Sequence, residues 1–180
     1  MMPTMLTPPP PYALRPMTTA DIDAVRAIDR HSFPTPVKAN LYVHELTQNK
    51  MAHYQVLTAV DTIIGHTGYW LMADEAHIIT IATHPDWRGR GLGELLLLNS
   101  LYMAGDQGAT LATLEVRRTN IVAQSLYLKY EFDIVGERPR YYQDTGDDAL
   151  IMTVMLKDHY YSHTLAQAKT ALFTRLRSAD

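Results

Sequence analysis

Apolar residues recur along the chain with two different periods, which predict alternating strands and helices. Short runs of apolar, aromatic or β-branched residues predict strands at residues 12–16, 54–60, 63–71, 76–83, 110–116, 132–135 and 149–156. Apolar positions at helical spacing predict five helices. The first begins after Thr18 or Thr19, and the others span residues 38–47, 92–104, 120–130 and 162–177. The middle of the chain therefore has the order strand–helix–strand–helix–strand, which requires crossover connections within an α/β sheet.

The two ends of the chain differ from this middle part. Four consecutive prolines, Pro8 to Pro11, favour extended structure without a core, so residues 1–11 are expected to be a disordered tail. Residues 12–157 are expected to form one folded domain, and residues 158–180 a C-terminal helical extension. An apolar stripe on that helix favours docking against the same domain over an interface with a partner: Leu165, Ala168, Leu172 and Leu176.

Composition and charge argue against several classes of function. A length of 180 residues fits one domain, and a formal net charge of -3 offers no basic footprint for nucleic acid or an anionic membrane. The absence of cysteine excludes disulfides and thiolate chemistry, and the five histidines between residues 44 and 84 form no His-x-x-x-His pair, so no metal site is expected. No apolar run reaches the roughly 18 residues of a membrane span. We therefore expect a cytoplasmic protein, monomeric or dimeric, that binds neither nucleic acid nor membrane.

The most informative segment is the glycine turn, Arg88-Gly89-Arg90-Gly91-Leu92-Gly93, between a predicted strand and a predicted helix. Such turns present backbone N–H groups at the positive end of a helix and can bind phosphates. The spacing does not match G-x-G-x-x-G, because the third glycine would fall on Glu94, and the Gly-Lys-Ser/Thr of a P-loop is missing. The pattern Arg/Gln-x-x-Gly-x-Gly/Ala does fit, with glycines where side chains would block approach to a pyrophosphate.

The glycine turn and the segments after it resemble the GNAT superfamily of N-acetyltransferases. The similar segments are Leu114-Glu115-Val116-Arg117, the helix start at Asn120, Ser125-Leu126-Tyr127, and Tyr141-Tyr142 followed by residues 148–152. The resemblance implies an α/β fold with a mixed central sheet flanked by helices, in which a splayed pair of parallel strands forms the acetyl-CoA cleft. It implies acetyl-CoA as co-substrate, bound by Ile81, Ala82, Thr83, Arg88, Gly89, Arg90, Gly91, Leu92, Gly93 and Asn120.

Within the superfamily, the chain is similar to protein N-terminal acetyltransferases of the RimI type, which act on a ribosomal-protein N-terminus. It departs from them at Glu131, where glycine usually precedes the phenylalanine, and at Thr35-Pro36, in the loop expected to shape the acceptor pocket. The implied reaction is direct acetyl transfer from acetyl-CoA to a protein or peptide N-terminal α-amine, with a ribosomal protein among the candidate acceptors. Two alternatives stay open: a small-molecule amine acetyltransferase (polyamine, aminoglycoside or amino acid) and a non-catalytic acyl-CoA-binding module.

Two residues are candidates for the chemistry itself. The resemblance places a catalytic glutamate at Glu115 and a catalytic tyrosine at Tyr127. Acetyl transfer from a thioester to an amine requires a neutral amine and a proton for the departing thiolate; a carboxylate suits the first task, and a phenol with a pKa of about 10 suits the second. The structural alternatives are an exposed glutamate paired with Arg117, two residues on, and a core aromatic.

Candidate walls of the acceptor pocket are Phe33, Pro34, Tyr141 and Tyr142, although ordinary cross-strand packing explains the tyrosine pair equally well. For Arg138, a solvated surface charge is favoured over the steering of an acidic acceptor. A free α-amine has a pKa of about 7.7–8.0 and a lysine of about 10.4. A single carboxylate base therefore suits an α-amine better than a lysine.

Overall fold

Strands and helices follow one another along the chain in the order that the sequence predicts. A computed structural model describes residues 4–157 and 159–178. The strands are β1 (Tyr12–Pro16), β2 (Ala52–Ala59), β3 (Thr62–Met72), β4 (Glu75–Thr83), β5 (Leu111–Arg117), β6 (Asp133–Tyr142) and β7 (Asp147–Met155). The helices are α1 (Ile22–Ser32), α2 (Ala39–Thr47), α3 (Leu92–Asp106), α4 (Ile121–Lys129) and α5 (His159–Ser178), with 3-10 turns at Thr19–Asp21 and Pro85–Trp87.

The strands form one mixed sheet in the order β1-β2-β3-β4-β5-β7-β6. Neighbouring strands are antiparallel except for β4 and β5, which α3 connects as a crossover. The pairing of β4 with β5 runs only from Glu75 and Leu111 to Ile78 and Leu114. Beyond these residues the two strands are no longer hydrogen-bonded to each other. The predicted α/β fold, with a mixed sheet and one splayed parallel pair, is confirmed.

Each face of the sheet carries its own hydrophobic core, because successive residues of a strand point to opposite faces. Val56 and Leu57, neighbours in β2, belong to the two different cores. Helix α3 contributes to the larger core and is apolar around most of its circumference, as buried helices are; residues Leu95 to Leu98 are all fully buried. Helices α1 and α2 cover the smaller core through Val25 and Tyr42.

The N-terminal segment is ordered where a disordered tail was predicted. The Leu6 N–H donates to Oδ1 of Asn99 at 2.9 Å, and the Thr4 N–H donates to Oδ2 of Asp106 at 3.0 Å. Pro8 and Pro9 are buried against the domain. The prediction is wrong for residues 4–11, because a proline-rich segment has few conformations to lose and docks at low entropic cost; residues 1–3 lie outside the described residues.

Strand β6 is much longer than the predicted strand at 132–135. It lies at the edge of the sheet, and its register against β7 shifts between Ile134 and Gly136 and again between Arg138 and Tyr142. An edge strand tolerates the glycine and proline inside this segment, which obscure the strand pattern in the sequence. Glu131, which precedes the strand, has a left-handed φ of 62°, a conformation that glycine adopts more easily.

Helix α5 docks on the same domain through its apolar stripe. Leu165, Leu172 and Leu176 are buried in the larger core. The Tyr161 hydroxyl donates to the backbone carbonyl of Tyr130 at 2.9 Å. None of the helices in the described residues is long and apolar enough to cross a membrane.

We predict that Leu172→Ala destabilises the whole domain in one cooperative transition. Leu172 is fully buried, and a Leu→Ala change in a core lowers the free energy of unfolding by about 2–5 kcal/mol. Leu128→Ala is the matched control, because Leu128 is exposed and its loss changes that free energy by roughly 0.5 kcal/mol or less. Urea unfolding followed by circular dichroism measures the free energy of unfolding of both variants. A separate early transition in Leu172→Ala would contradict the prediction that α5 and the rest of the domain unfold together.

Candidate active site

The end of the β4–β5 pairing opens a cleft that divides into two connected halves. One, named the acceptor half for the predicted acceptor residues in its wall, is a cavity of about 690 Å³ between β4, β5 and the connection from α1 to α2. The other, named the cofactor half for the predicted cofactor residues in its wall, is a cavity of about 560 Å³ beside the glycine turn. The residues that line both halves are Ser32, Phe33, Ile81, Asn120, Ala123 and Tyr127.

The cofactor half collects almost all of the predicted cofactor-binding residues. Of the ten, only Arg90 does not line it; the other nine are Ile81, Ala82, Thr83, Arg88, Gly89, Gly91, Leu92, Gly93 and Asn120. Gly89 and Gly91 have left-handed φ angles of 77° and 81°, which side chains strongly disfavour. Gly91 is the N-cap of α3 and, having no side chain, gives no capping hydrogen bond to the first turn of this helix. The first amides of α3 are therefore free of an intrahelical partner and suited to bind an anion.

The two arginines of the glycine turn act differently. Arg88 holds the turn in place: its Nε donates to the carbonyl of Thr83, and its Nη2 contacts both the carbonyl of His31 and Oγ of Ser32, each at 3.1 Å. Arg90 lies over the Trp87 ring, 4.8 Å from its centroid. Arg88 thus ties the turn to the end of α1 beside the cleft.

Glu115 lies in the acceptor half with two partners, neither of which is Arg117. Its Oε2 lies 2.6 Å from Nε2 of His77, and its Oε1 lies 3.3 Å from Nε of Arg138. An ionised carboxylate can only accept, so Nε2 of His77 is the donor. The carboxylate is thus held from both sides, and only 10% of the side chain is exposed.

Arg117 pairs with other residues of the same half. It forms ion pairs with Asp144 at 2.9 Å and Asp147 at 3.3 Å, and its guanidinium lies 3.8 Å from the centroid of the Tyr142 ring. The alternative in which Glu115 pairs with Arg117 is therefore wrong. Arg138 is not a purely solvated charge either, because it contacts Glu115.

Tyr127 lies where the two halves meet. Its ring packs against Phe132 with centroids 5.8 Å apart. Burial, with a smaller contribution from Tyr142, raises the pKa of Tyr127 to about 12. The phenol is therefore protonated throughout the neutral range. Asn120 caps α4 beside it, since its Oδ1 accepts from the Ala123 N–H at 3.1 Å.

Three of the four predicted acceptor residues line the acceptor half: Phe33, Pro34 and Tyr142. Burial is the main cause that raises the pKa of Tyr142 to about 12, although Arg117 acts against it. Tyr141 does not line the cavity; it is 44% exposed and packs edge-on against Tyr142 with centroids 5.1 Å apart.

A buried polar network fixes the two helices on either side of Phe33 and Pro34. Asp29 of α1 is fully buried and accepts from Nε2 of His66 at 2.8 Å and from the Tyr42 hydroxyl at 2.7 Å. Because His66 belongs to β3 and Tyr42 to α2, one carboxylate ties both helices to the sheet. Removing either donor would leave a buried acceptor short of a partner, which is costly.

Sequence reasoning did not identify His77, Asp144 or Asp147 as parts of the site, and it favoured a solvated surface position for Arg138. Their positions depend on strand pairing and on the turn between β6 and β7, and no local motif marks them. Among the described residues, no group of three or more His, Cys, Asp or Glu side chains could hold a metal ion.

Comparison with known proteins agrees with the fold and the site. The model of the acetyltransferase (GNAT) family matches residues 22–132. A protein of Bacillus subtilis (strain 168), provisionally named a ribosomal protein bS18-alanine N-acetyltransferase, is 39% identical over 146 residues, which cover 81% of this chain and 97% of the relative. The ribosomal protein bS18-alanine N-acetyltransferase of Escherichia coli (strain K12) is 31% identical over 150 residues, 77% of this chain and 93% of the relative.

The solved structures include the same fold. The crystal structure of the ribosomal-protein-S18-alanine N-acetyltransferase from Escherichia coli aligns with a TM-score of 0.74 at 26% identity, covering 82% of this chain and 95% of that chain. The family model covers more than half of the present chain, from α1 to the residue before β6. The chain therefore belongs to the acetyltransferase (GNAT) family.

Proposed function

We propose that this protein transfers an acetyl group from acetyl-CoA directly to the N-terminal α-amine of a protein, with Glu115 as general base and Tyr127 as general acid. The observation that carries the proposal is that both residues line one cavity at the point where β4 and β5 separate. Tyr127 also lines the cavity beside the uncapped end of α3. A base, an acid and an anion site thus meet along one cleft.

The residues of the cofactor half fit a pyrophosphate and the extended chain attached to it. The left-handed Gly89 and Gly91 and the free amides of α3 suit the phosphates. The backbone of β4 from Ile79 onward lacks a strand partner on the β5 side, so its polar groups are available to a ligand. When bound, acetyl-CoA supplies an activated acetyl thioester.

Glu115 takes the proton that the amine must lose. The α-amine needs to lose its charge before it can attack, and a carboxylate at the cavity wall can accept that proton. His77 and Arg138 are positioning residues, because their contacts fix the two carboxylate oxygens. His77 is itself partly exposed, with 22% of its side chain accessible.

Tyr127 holds the proton that the departing thiolate needs. With a pKa of about 12, its phenol stays protonated at any pH at which the amine reacts. Its place at the junction of the two halves puts the hydroxyl-bearing ring between the proposed cofactor and acceptor sites.

The choice of a protein α-amine rests on two kinds of support. Relatives that share 39% and 31% of their aligned residues with this chain are named for acetylation of a ribosomal-protein alanine, so a ribosomal protein is a candidate acceptor. Freeing an α-amine at neutral pH costs about one pKa unit, against about three for a lysine, which suits a single carboxylate base.

The function is tested with acetyl-CoA and paired peptides, followed by mass spectrometry. One peptide of each pair has a free α-amine and no lysine; the other has a blocked N-terminus and one lysine. First residues Ala, Ser and Met sample the acceptor half. We expect acetylation of the free α-amine alone, whereas modification of lysine only, or of small amines only, would contradict the proposal.

We predict that Glu115→Gln lowers kcat at neutral pH by about 100-fold, the usual size of a general-base contribution. Glutamine keeps the shape of the side chain but cannot take the proton. The deficit should shrink as pH rises above the amine pKa of about 8, because the substrate is then already neutral. Glu137→Gln on β6 is the control, since Glu137 is half exposed and pairs with Arg118; equal kcat in Glu115→Gln and the control would refute the assignment.

We predict that Tyr127→Phe lowers kcat by about 100-fold while leaving the fold intact. Because the pKa of Tyr127 is about 12, the unaltered protein should show no loss of kcat from ionisation of this group between about pH 7 and 10. Tyr102→Phe is the control, since Tyr102 lines a separate cavity between α3 and α5. The raised pKa would be contradicted if kcat of the unaltered protein fell above about pH 9 and Tyr127→Phe abolished that fall.

A further inference from the structure

Helix α5 reaches the glycine turn, although it lies beyond the last residue that the family model matches. A Cβ atom placed on Gly91 would lie 3.1 Å from Cδ1 of Leu172. Leu172 is fully buried. The C-terminal helix is therefore packed directly against the N-cap of α3, where the cofactor phosphates are proposed to bind.

A charged cluster connects the same two helices. Glu94, in the first turn of α3, is 8% exposed. Its Oε1 accepts from Nζ of Lys129 at 2.6 Å and from the Tyr130 hydroxyl at 2.8 Å, while its Oε2 accepts from Nη2 of Arg175 at 2.7 Å. Burial acts to raise the pKa of Glu94, but the hydrogen bonds from Lys129, Arg175 and Tyr130 outweigh it and the pKa is lowered.

The position of this carboxylate creates an electrostatic problem for an anionic ligand. Glu94 lines the cofactor half together with Gly91 and Gly93. A buried negative charge there would repel phosphates that the amides of α3 attract, and the repulsion is strongest where water is excluded. One carboxylate against two cations, Lys129 and Arg175, leaves the cluster with a net charge of +1, which favours the phosphates instead.

Arg175 has a part that Lys129 does not duplicate. The two cations contact different oxygens of Glu94, so loss of Arg175 would leave Oε2 without its donor and the cluster with no net positive charge. Arg175 comes from α5, whereas Lys129 comes from α4. The charge balance beside the glycine turn therefore depends on the docking of the C-terminal helix.

We propose that Arg175 is a positioning residue for acetyl-CoA: by neutralising Glu94 beside the glycine turn, it makes α5 a determinant of cofactor affinity. This inference rests on the proposed function, because it requires that acetyl-CoA bind in the cofactor half. Arg175 acts through Glu94 and does not touch the ligand.

The test is isothermal titration calorimetry of the full chain with CoA and with dephospho-CoA. We expect Arg175→Ala to raise the Kd for both ligands about five-fold, a size suited to a half-exposed cation, and the difference to shrink at high salt. Arg175→Lys should restore most of the affinity. Arg177→Ala, an exposed arginine on the same helix, should bind as the unaltered protein does.

A double-variant cycle identifies the route of the effect. In a Glu94→Gln background no carboxylate holds the half-exposed Arg175 guanidinium beside the glycine turn, so adding Arg175→Ala should change the Kd by less than about two-fold. In turnover, Arg175→Ala should raise the KM for acetyl-CoA and leave kcat and the peptide KM unchanged, whereas a purely structural role would lower kcat through loss of folded enzyme.

Three results would overturn the role of Arg175: an unchanged Kd in Arg175→Ala, a full loss that persists in the Glu94→Gln background, or a loss confined to CoA. The last would mean direct contact with the 3′-phosphate. If the unaltered protein bound neither ligand, the proposed function itself would fail, which is a distinguishable outcome.

Discussion

The cleft depends on the separation of β4 from β5, and the pairing of β4 with β3 on its other side favours that separation. The register of β3 against β4 shifts between Gly68 and Tyr69, so Ile79 is the extra residue on β4. This bulge follows Ile78, the last residue of β4 that pairs with β5. A β-bulge bends its strand and increases the local twist, which directs β4 away from β5. Gly68, at the bulge, leaves room for the Tyr54 ring, because a Cβ atom on this residue would lie 2.3 Å from that ring.

Where two strands of a sheet separate, polar groups are exposed that strand pairing would otherwise satisfy. The two halves of the cleft differ in how their polar groups are used. Side chains in the acceptor half are already paired: Glu115 with His77 and Arg138, and Arg117 with Asp144 and Asp147. In the cofactor half, the glycine at the N-cap of α3 gives no capping hydrogen bond to the first amides of the helix. Preorganised polar groups of this kind need little rearrangement when the substrates bind.

Local patterns in the sequence predict the features that depend on neighbouring residues. The glycine turn is predicted from the spacing of its arginine and glycines between a strand and a helix, and the order of strands and helices is predicted from hydrophobic periodicity. Features that depend on contacts between distant segments are not visible in this way. The contact of Glu115 with His77 joins residues 38 positions apart, and the docking of Leu6 onto Asn99 joins residues 93 positions apart. The exposed position of Tyr141 likewise depends on the irregular pairing of an edge strand.

The distribution of charge gives the cleft a direction. Three carboxylates and one arginine line the acceptor half, Glu115, Asp144, Asp147 and Arg117, and Arg138 pairs with Glu115, for a formal charge of -1. The charged residues that line the cofactor half are Arg88 and Glu94, and Glu94 forms ion pairs with Lys129 and Arg175. These three cations and one carboxylate have a formal charge of +2. Such a gradient attracts an ammonium to one end and phosphates to the other. Two of the three positive charges lie on helices α4 and α5 behind the glycine turn, so the packing of the C-terminal helix contributes to the positive end of this gradient.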